Sequence, residues 1–153
     1  MIDTPQISTT TEHPTAVIRF NIPRSDIQSV MGPAIKEVMS VVRTQRIGLA
    51  GPVFAYHHRM DPALFDFEVG VPVTTAVRGE GRVVPSRLPA LRAARTIYRG
   101  PHEGLGAAWT EFNAWLEAEK LQTRGELWEC YARGPESGSD SATWVTELVR
   151  PLR

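Results

Sequence analysis

The stretch Ile35-Lys36-Glu37-Val38-Met39-Ser40-Val41-Val42, with Ile47 and Gly51 beyond it, decides the fold because its character recurs 74 residues later. At that offset Ile35 falls on Trp109, Val38 on Phe112, Val42 on Leu116, Ile47 on Leu121 and Gly51 on Gly125. Apolar residues three and four apart mark one face of a helix. Each copy also sits in the same order of elements. Ahead of the first, Ala16-Val17-Ile18-Arg19-Phe20-Asn21-Ile22 is rich in β-branched and aromatic residues and is closed by Pro23, which predicts a strand. Ser25-Asp26 then offers a helix N-cap, and Ile27, Val30, Met31 and Ala34 begin the apolar stripe. Gly32-Pro33 predicts a kink, or a fresh helix start at Pro33. Two strands are expected next, over 53–59 and 65–73, with a turn around Asp61-Pro62.

The second copy reads alike. A strand over 91–99 leads to Gly100-Pro101, where proline suits the first turn of a helix. Leu105, Ala108, Trp109, Phe112 and Leu116 form its stripe, and strands over 127–133 and 143–149 flank the Ser- and Gly-rich loop 134–141. The chain is therefore an α+β domain over 15–153. It contains two strand–helix–strand–strand modules, about 16–73 and 89–152, and a linker over 74–88. Neither module has the surface to bury its helix alone, so both should share one sheet and one core. Residues 1–14, Thr-rich and polar, read as a mobile tail.

Composition narrows the function. A chain of 153 residues can bury a core without metal or disulfide support. Its 17 basic and 17 acidic side chains cancel, which argues against direct nucleic-acid binding, where phosphate neutralisation demands a basic excess. The single cysteine, Cys130, excludes an internal disulfide and a multi-cysteine zinc site. No apolar run is long enough to span a bilayer, and no signal-peptide core is present. A cytoplasmic protein without a membrane partner is expected.

Four motifs occur in order: Gly51-Pro52-Val53-Phe54-Ala55-Tyr56-His57, Phe67-Glu68-Val69-Gly70-Val71-Pro72-Val73, Tyr98-Arg99-Gly100-Pro101-His102-Glu103-Gly104-Leu105 and Trp128-Glu129-Cys130-Tyr131. Together they resemble the gyrase-inhibitory-protein-like family, also called the bacterial transcription activator effector-binding domain. The likeness covers about 16–152. It implies two modules in pseudo-twofold arrangement on an antiparallel sheet, with a hydrophobic small molecule bound in a cleft between them and no cofactor. Family members joined to helix-turn-helix domains sense lipophilic, often cationic, drugs; others sequester drugs or hydrolyse cyclopropane-containing toxins. The roughly fifteen residues before the first strand leave no room for a helix-turn-helix, so a stand-alone member is expected.

Glu129 is the leading site residue. In Leu127-Trp128-Glu129-Cys130-Tyr131, alternation puts Leu127, Glu129 and Tyr131 on one face and Trp128 and Cys130 on the other. A carboxylate beside aromatic rings can pair with a ligand cation, and the resemblance implies that this glutamate faces the cleft. In a hydrolase, Glu129 would be the general base and Tyr131 or Tyr98 would orient the ligand. Tyr56, Tyr98, Phe54, His57 and Glu68 complete the candidate ligand-binding set. Matching Pro72 to Pro151 sets Glu68 against Glu147 in the repeat. His57 and His58 point to opposite faces of a strand, so with Asp61 they do not make a metal site. The stripe assigns Trp109 to the core, and His102 is expected near the surface. At the 74-residue offset Glu129 falls on Ala55, which predicts a charge off the pseudo-twofold axis. Binding without conversion, hydrolysis, and inhibition by docking on a protein partner all remain open.

Overall fold

Alternation through His13-Pro14-Thr15-Ala16-Val17-Ile18-Arg19-Phe20 builds the longest strand of the protein, and a computed structural model describes residues 1–60, 63–134 and 138–153. The expected turn at Asp61-Pro62 lies outside the described residues, as do 135–137 of the Ser- and Gly-rich loop. In chain order the elements are β1 (Gln6–Thr9), β2 (His13–Pro23), α1 (Ile27–Thr44), β3 (Phe54–Met60), β4 (Leu64–Pro72), β5 (Val84–Leu88), β6 (Arg92–Arg99), α2 (Leu105–Ala118), β7 (Leu127–Arg133) and β8 (Val145–Pro151). All strands pair antiparallel in one sheet of order β1-β6-β8-β7-β3-β4-β2-β5.

The order is a palindrome of modules. β2, β4 and β3 form one half, β6, β8 and β7 the other, and β3 meets β7 at the central seam. The 74-residue repeat holds to the level of single hydrogen bonds. Arg46 and Lys120, at equivalent positions, both adopt positive φ (56° and 55°), the left-handed conformation that often ends a helix. The bond from Ile47 N–H to the Val42 carbonyl is matched by Leu121 N–H to Leu116. Beyond the helices, Ala50 N–H to Pro72 is matched by Arg124 N–H to Pro151.

The structure departs from expectation in three places. Residues 1–14 are not a mobile tail in this fold: β1 pairs with β6, Ile2 bridges to Tyr98, and the Thr10 hydroxyl bonds the carbonyls of Pro89 and Leu91. Residues 74–88 are likewise more than a linker, because β5 pairs with β2. Each short strand extends the module other than the one it precedes. α1 is also one helix rather than two, running through Pro33. Pro33 is exposed, while the buried contacts come from Ala34, Val38 and Val42.

Both helices cover the same face of the sheet. Register aligns Ile18, Val69, Ala55, Glu129, Leu148 and Thr96 in one row across it. α1 packs over the first-module end of that face with Ala16, Ile18, Phe67, Val69 and Val71. Over the other end, α2 packs Ala108, Phe112 and Leu116 on Ala94, Tyr98 and Leu148. Burying a side chain such as Phe112, fully inaccessible here, stabilises the fold by about 1.5–3 kcal/mol. The opposite face carries a smaller core of Val17, Phe54, Tyr56, Leu88, Ala93, Trp128 and Val149. Gly70 is required within it, since a Cβ there would stand 1.9 Å from the Ala16 carbonyl oxygen.

Candidate functional site

The seam between the helices is where sequence and geometry converge. Across the β3–β7 ladder His57 faces Leu127 and Ala55 faces Glu129, and Tyr131 N–H bonds the Val53 carbonyl. Alternation brings Ala55, His57, Glu129 and Tyr131 to the helix-bearing face. The Glu129 carboxylate is half-buried and held at both oxygens. Trp109 Nε1, from α2, donates to Oε2 at 2.6 Å, and the Tyr131 hydroxyl donates to Oε1 at 2.7 Å. Among the described residues no Lys, Arg or His stands within ion-pair distance of it. Burial, then the Glu129 charge, pushes the Tyr131 phenol well above its ordinary range, so at neutral pH it is a hydrogen-bond donor and not a base.

Aromatic groups extend the site beyond Tyr131. His102, in the turn that precedes α2, lies with its ring 5.5 Å from Tyr131 and 4.8 Å from Trp144. On the far side of Glu129, His57 is buried, stacked on Phe67 at 5.2 Å and edge-on to Phe65 at 5.0 Å. Its imidazole is held down to about 4 by burial, with the charges of Arg24 and His58 adding to the effect.

The sequence candidates therefore divide. Glu129, Tyr131 and His57 share the seam. Tyr98 is on the same face but is turned into the core, where its hydroxyl donates to the Pro101 carbonyl at 2.8 Å and Gly104 leaves space for it. Phe54, Tyr56 and Glu68 lie on the opposite face. There Tyr56 stacks on His58 and Trp128 and donates to Glu126, while Glu68 contacts His58 Nε2. Glu147, the repeat partner of Glu68, pairs with Arg95 at 3.0 Å. Cys130 is also on that face, and its thiol is pushed up to about 12 by burial, then by Glu147.

Sequence reasoning missed Trp109 and His102. Trp109 belongs to the stripe, as expected, but its indole N–H needs an acceptor, which was the available signal. His102 carries no such signal in the sequence. Two open concavities among the described residues, about 540 and 370 Å³, are lined by Arg124, Gly125, Leu152 and Arg153, and by residues of β1, β6 and β8 such as Gln6 and Arg95. Neither includes Glu129.

A family model for the GyrI-like small molecule binding domain matches residues 3–153, and the chain belongs to that family. The EcmrR C-terminal domain is similar with a TM-score of 0.85 at 22% identity, over 98% of this chain and 97% of that one. In the EcmrR–DNA complex the TM-score is 0.86 at 22% identity; 98% of this chain is covered, and it spans 57% of that chain. SAV2435 bound to tetraphenylphosphonium gives 0.75 at 10% identity, over 99% and 94%. A hydrolase from Listeria innocua gives 0.61 at 14%, over 97% and 91%. No curated protein sequence matches the chain. At these identities the likeness to solved structures is one of fold.

Proposed function

We propose that this domain binds lipophilic small molecules carrying one positive charge, with the cation at Glu129 and the apolar body between α1 and α2. The observation that carries the reading is the partnering of Glu129. Its two oxygens are held by neutral donors from aromatic side chains, so its charge has a fixed direction and no counter-ion among the described residues. A half-buried carboxylate in that state gains most from a cation that brings its own apolar surface, because pairing and desolvation then act together. The flanking helices supply apolar walls, with Trp109 on α2 and its repeat counterpart Ile35 on α1. SAV2435, which shares the fold, is bound to a lipophilic cation.

Hydrolysis is the second reading, favoured by the Tyr131–Glu129 hydrogen bond and by the hydrolase of the same fold. One experiment separates the two. The protein is incubated with tetraphenylphosphonium, quaternary amines and strained electrophiles, and thermal shift and product mass are followed together. Saturable shifts without product, weakened about tenfold or more by Glu129→Gln, are expected. Repeated turnover lost in Glu129→Gln would replace binding by hydrolysis. No response to any compound would overturn both.

A further inference from the structure

Among the described residues, His102 Nε2 is buried and has no hydrogen-bond partner. Buried polar atoms are partnered in the great majority of proteins, so an unpaired ring nitrogen needs a reason. The described side chains around it do not supply a partner. The ring sits between those of Tyr131 and Trp144. Tyr131 spends its hydroxyl on Glu129, and Trp144 spends its indole N–H on the Gly138 carbonyl at 3.3 Å. A phenyl ring would fill this aromatic slot without stranding a nitrogen. The slot is also one ring removed from the carboxylate, along the line Glu129–Tyr131–His102.

We infer that His102 is a specificity residue of the cation site, pairing through Nε2 with a polar group of the ligand on the far side of Tyr131 from the charge. The inference rests on the cation-binding reading and narrows the ligand class to lipophilic cations with a hydroxyl on an aromatic arm. A hydroxyl suits either imidazole tautomer, since it donates and accepts. The neighbouring rings are those of Tyr131 and Trp144, and the arm would have to displace one of them to reach the nitrogen.

The test compares three probes by calorimetry: tetraphenylphosphonium, a trialkyl(biphenylmethyl)ammonium ion, and the same ion with a hydroxyl on the outer ring. The wild type is expected to bind the hydroxylated ion about tenfold more tightly than its parent. His102→Phe should abolish that preference, so that the variant binds the hydroxylated ion and its parent with equal affinity. His102→Gln, which keeps a donor and an acceptor, should retain part of it. The ligand-free His102→Phe protein should melt roughly 2–4 °C higher than wild type, because the stranded nitrogen is gone. A merely structural histidine would lower the melting point instead. Survival of the preference in His102→Phe, or a wild type that does not discriminate, overturns the inference. If tetraphenylphosphonium binds through Glu129 without any hydroxyl preference, the assignment of His102 alone falls. If none of the three cations binds, the cation-binding reading falls and takes this one with it.

Discussion

Glu129 and Ala55 stand directly opposite each other across the β3–β7 ladder, and they are also the pair that the 74-residue repeat superposes. A pair that maps onto itself lies on the pseudo-twofold axis. The axis passes between the two backbone positions, so the Glu129 charge stands just to the second-module side of it, on β7, and the asymmetry is chemical, a carboxylate against a methyl group. The same operation exchanges Tyr131 with His57. A duplicated fold thus has one charged centre, with a phenol on one side and an imidazole on the other. On the cation-binding reading proposed above, such a centre would take a single cation rather than two equivalent ones.

Ala55→Glu tests that geometry. Ala55 is fully buried beside Glu129, so a second carboxylate there must stay protonated or repel the first. The variant should lose roughly 3 kcal/mol at neutral pH, read from urea midpoints. The sign with pH is fixed. The new carboxyl has a folded pKa raised above its unfolded value near 4.3, so the folded state binds the extra proton and stability falls as pH rises past about 4.3. Ala55→Gln, without a charge, should show no such slope beyond that of the wild type.

His57 gives a slope of the opposite sign. Its imidazole is held down to about 4 by burial, Arg24 and His58, against 6.5 in the unfolded chain. Between those values the unfolded state binds a proton that the folded state refuses. Stability contributed by the neutral ring is therefore full above pH 6.5 and is lost as pH falls toward 4. At pH 5 the loss amounts to about 2 kcal/mol relative to pH 7.5. Urea unfolding at both pH values should show it in wild type, and His57→Phe, which keeps the stack on Phe67, should largely remove it. An equal slope in both proteins would mean that another group carries the titration.

Fold and site differ in how far the sequence discloses them, for a physical reason. The repeat is legible because helix stripes and strand alternation are properties of neighbours in sequence, and Ile35–Trp109 through Gly51–Gly125 keep them in register. Alternation also separates Glu129 from Trp128 and Cys130. It does not say which face the helices cover, so from sequence Phe54, Tyr56 and Glu68 are candidates beside Glu129, whereas cross-strand register sends them to the other side. Trp109 looks like core because it is core; its bond to Glu129 spans two elements and leaves no trace in local pattern. β1 is invisible for a related reason, since Gln6-Ile7-Ser8-Thr9 is short, polar and exposed, and becomes a strand by pairing with β6.

Beyond its pairing with β6, that first strand is anchored at its far end by the Thr10 side chain. Thr10 is largely buried, its hydroxyl donates to Pro89 and Leu91 carbonyls at 2.8 and 3.2 Å, and it accepts from Leu91 N–H at 3.0 Å. It thereby ties the turn after β1 to the chain between β5 and β6, closing the small core that contains Leu88 and Leu91. Thr10→Val keeps the shape but strands those backbone groups, which costs about 1–3 kcal/mol. Amide exchange should then speed up at Asp3 and Thr10, whose N–H groups bond the Ile97 and Leu91 carbonyls, while α1 keeps its protection. If residues 1–10 were a tail without structural weight, Thr10→Val would leave both the urea midpoint and the exchange of these amides unchanged.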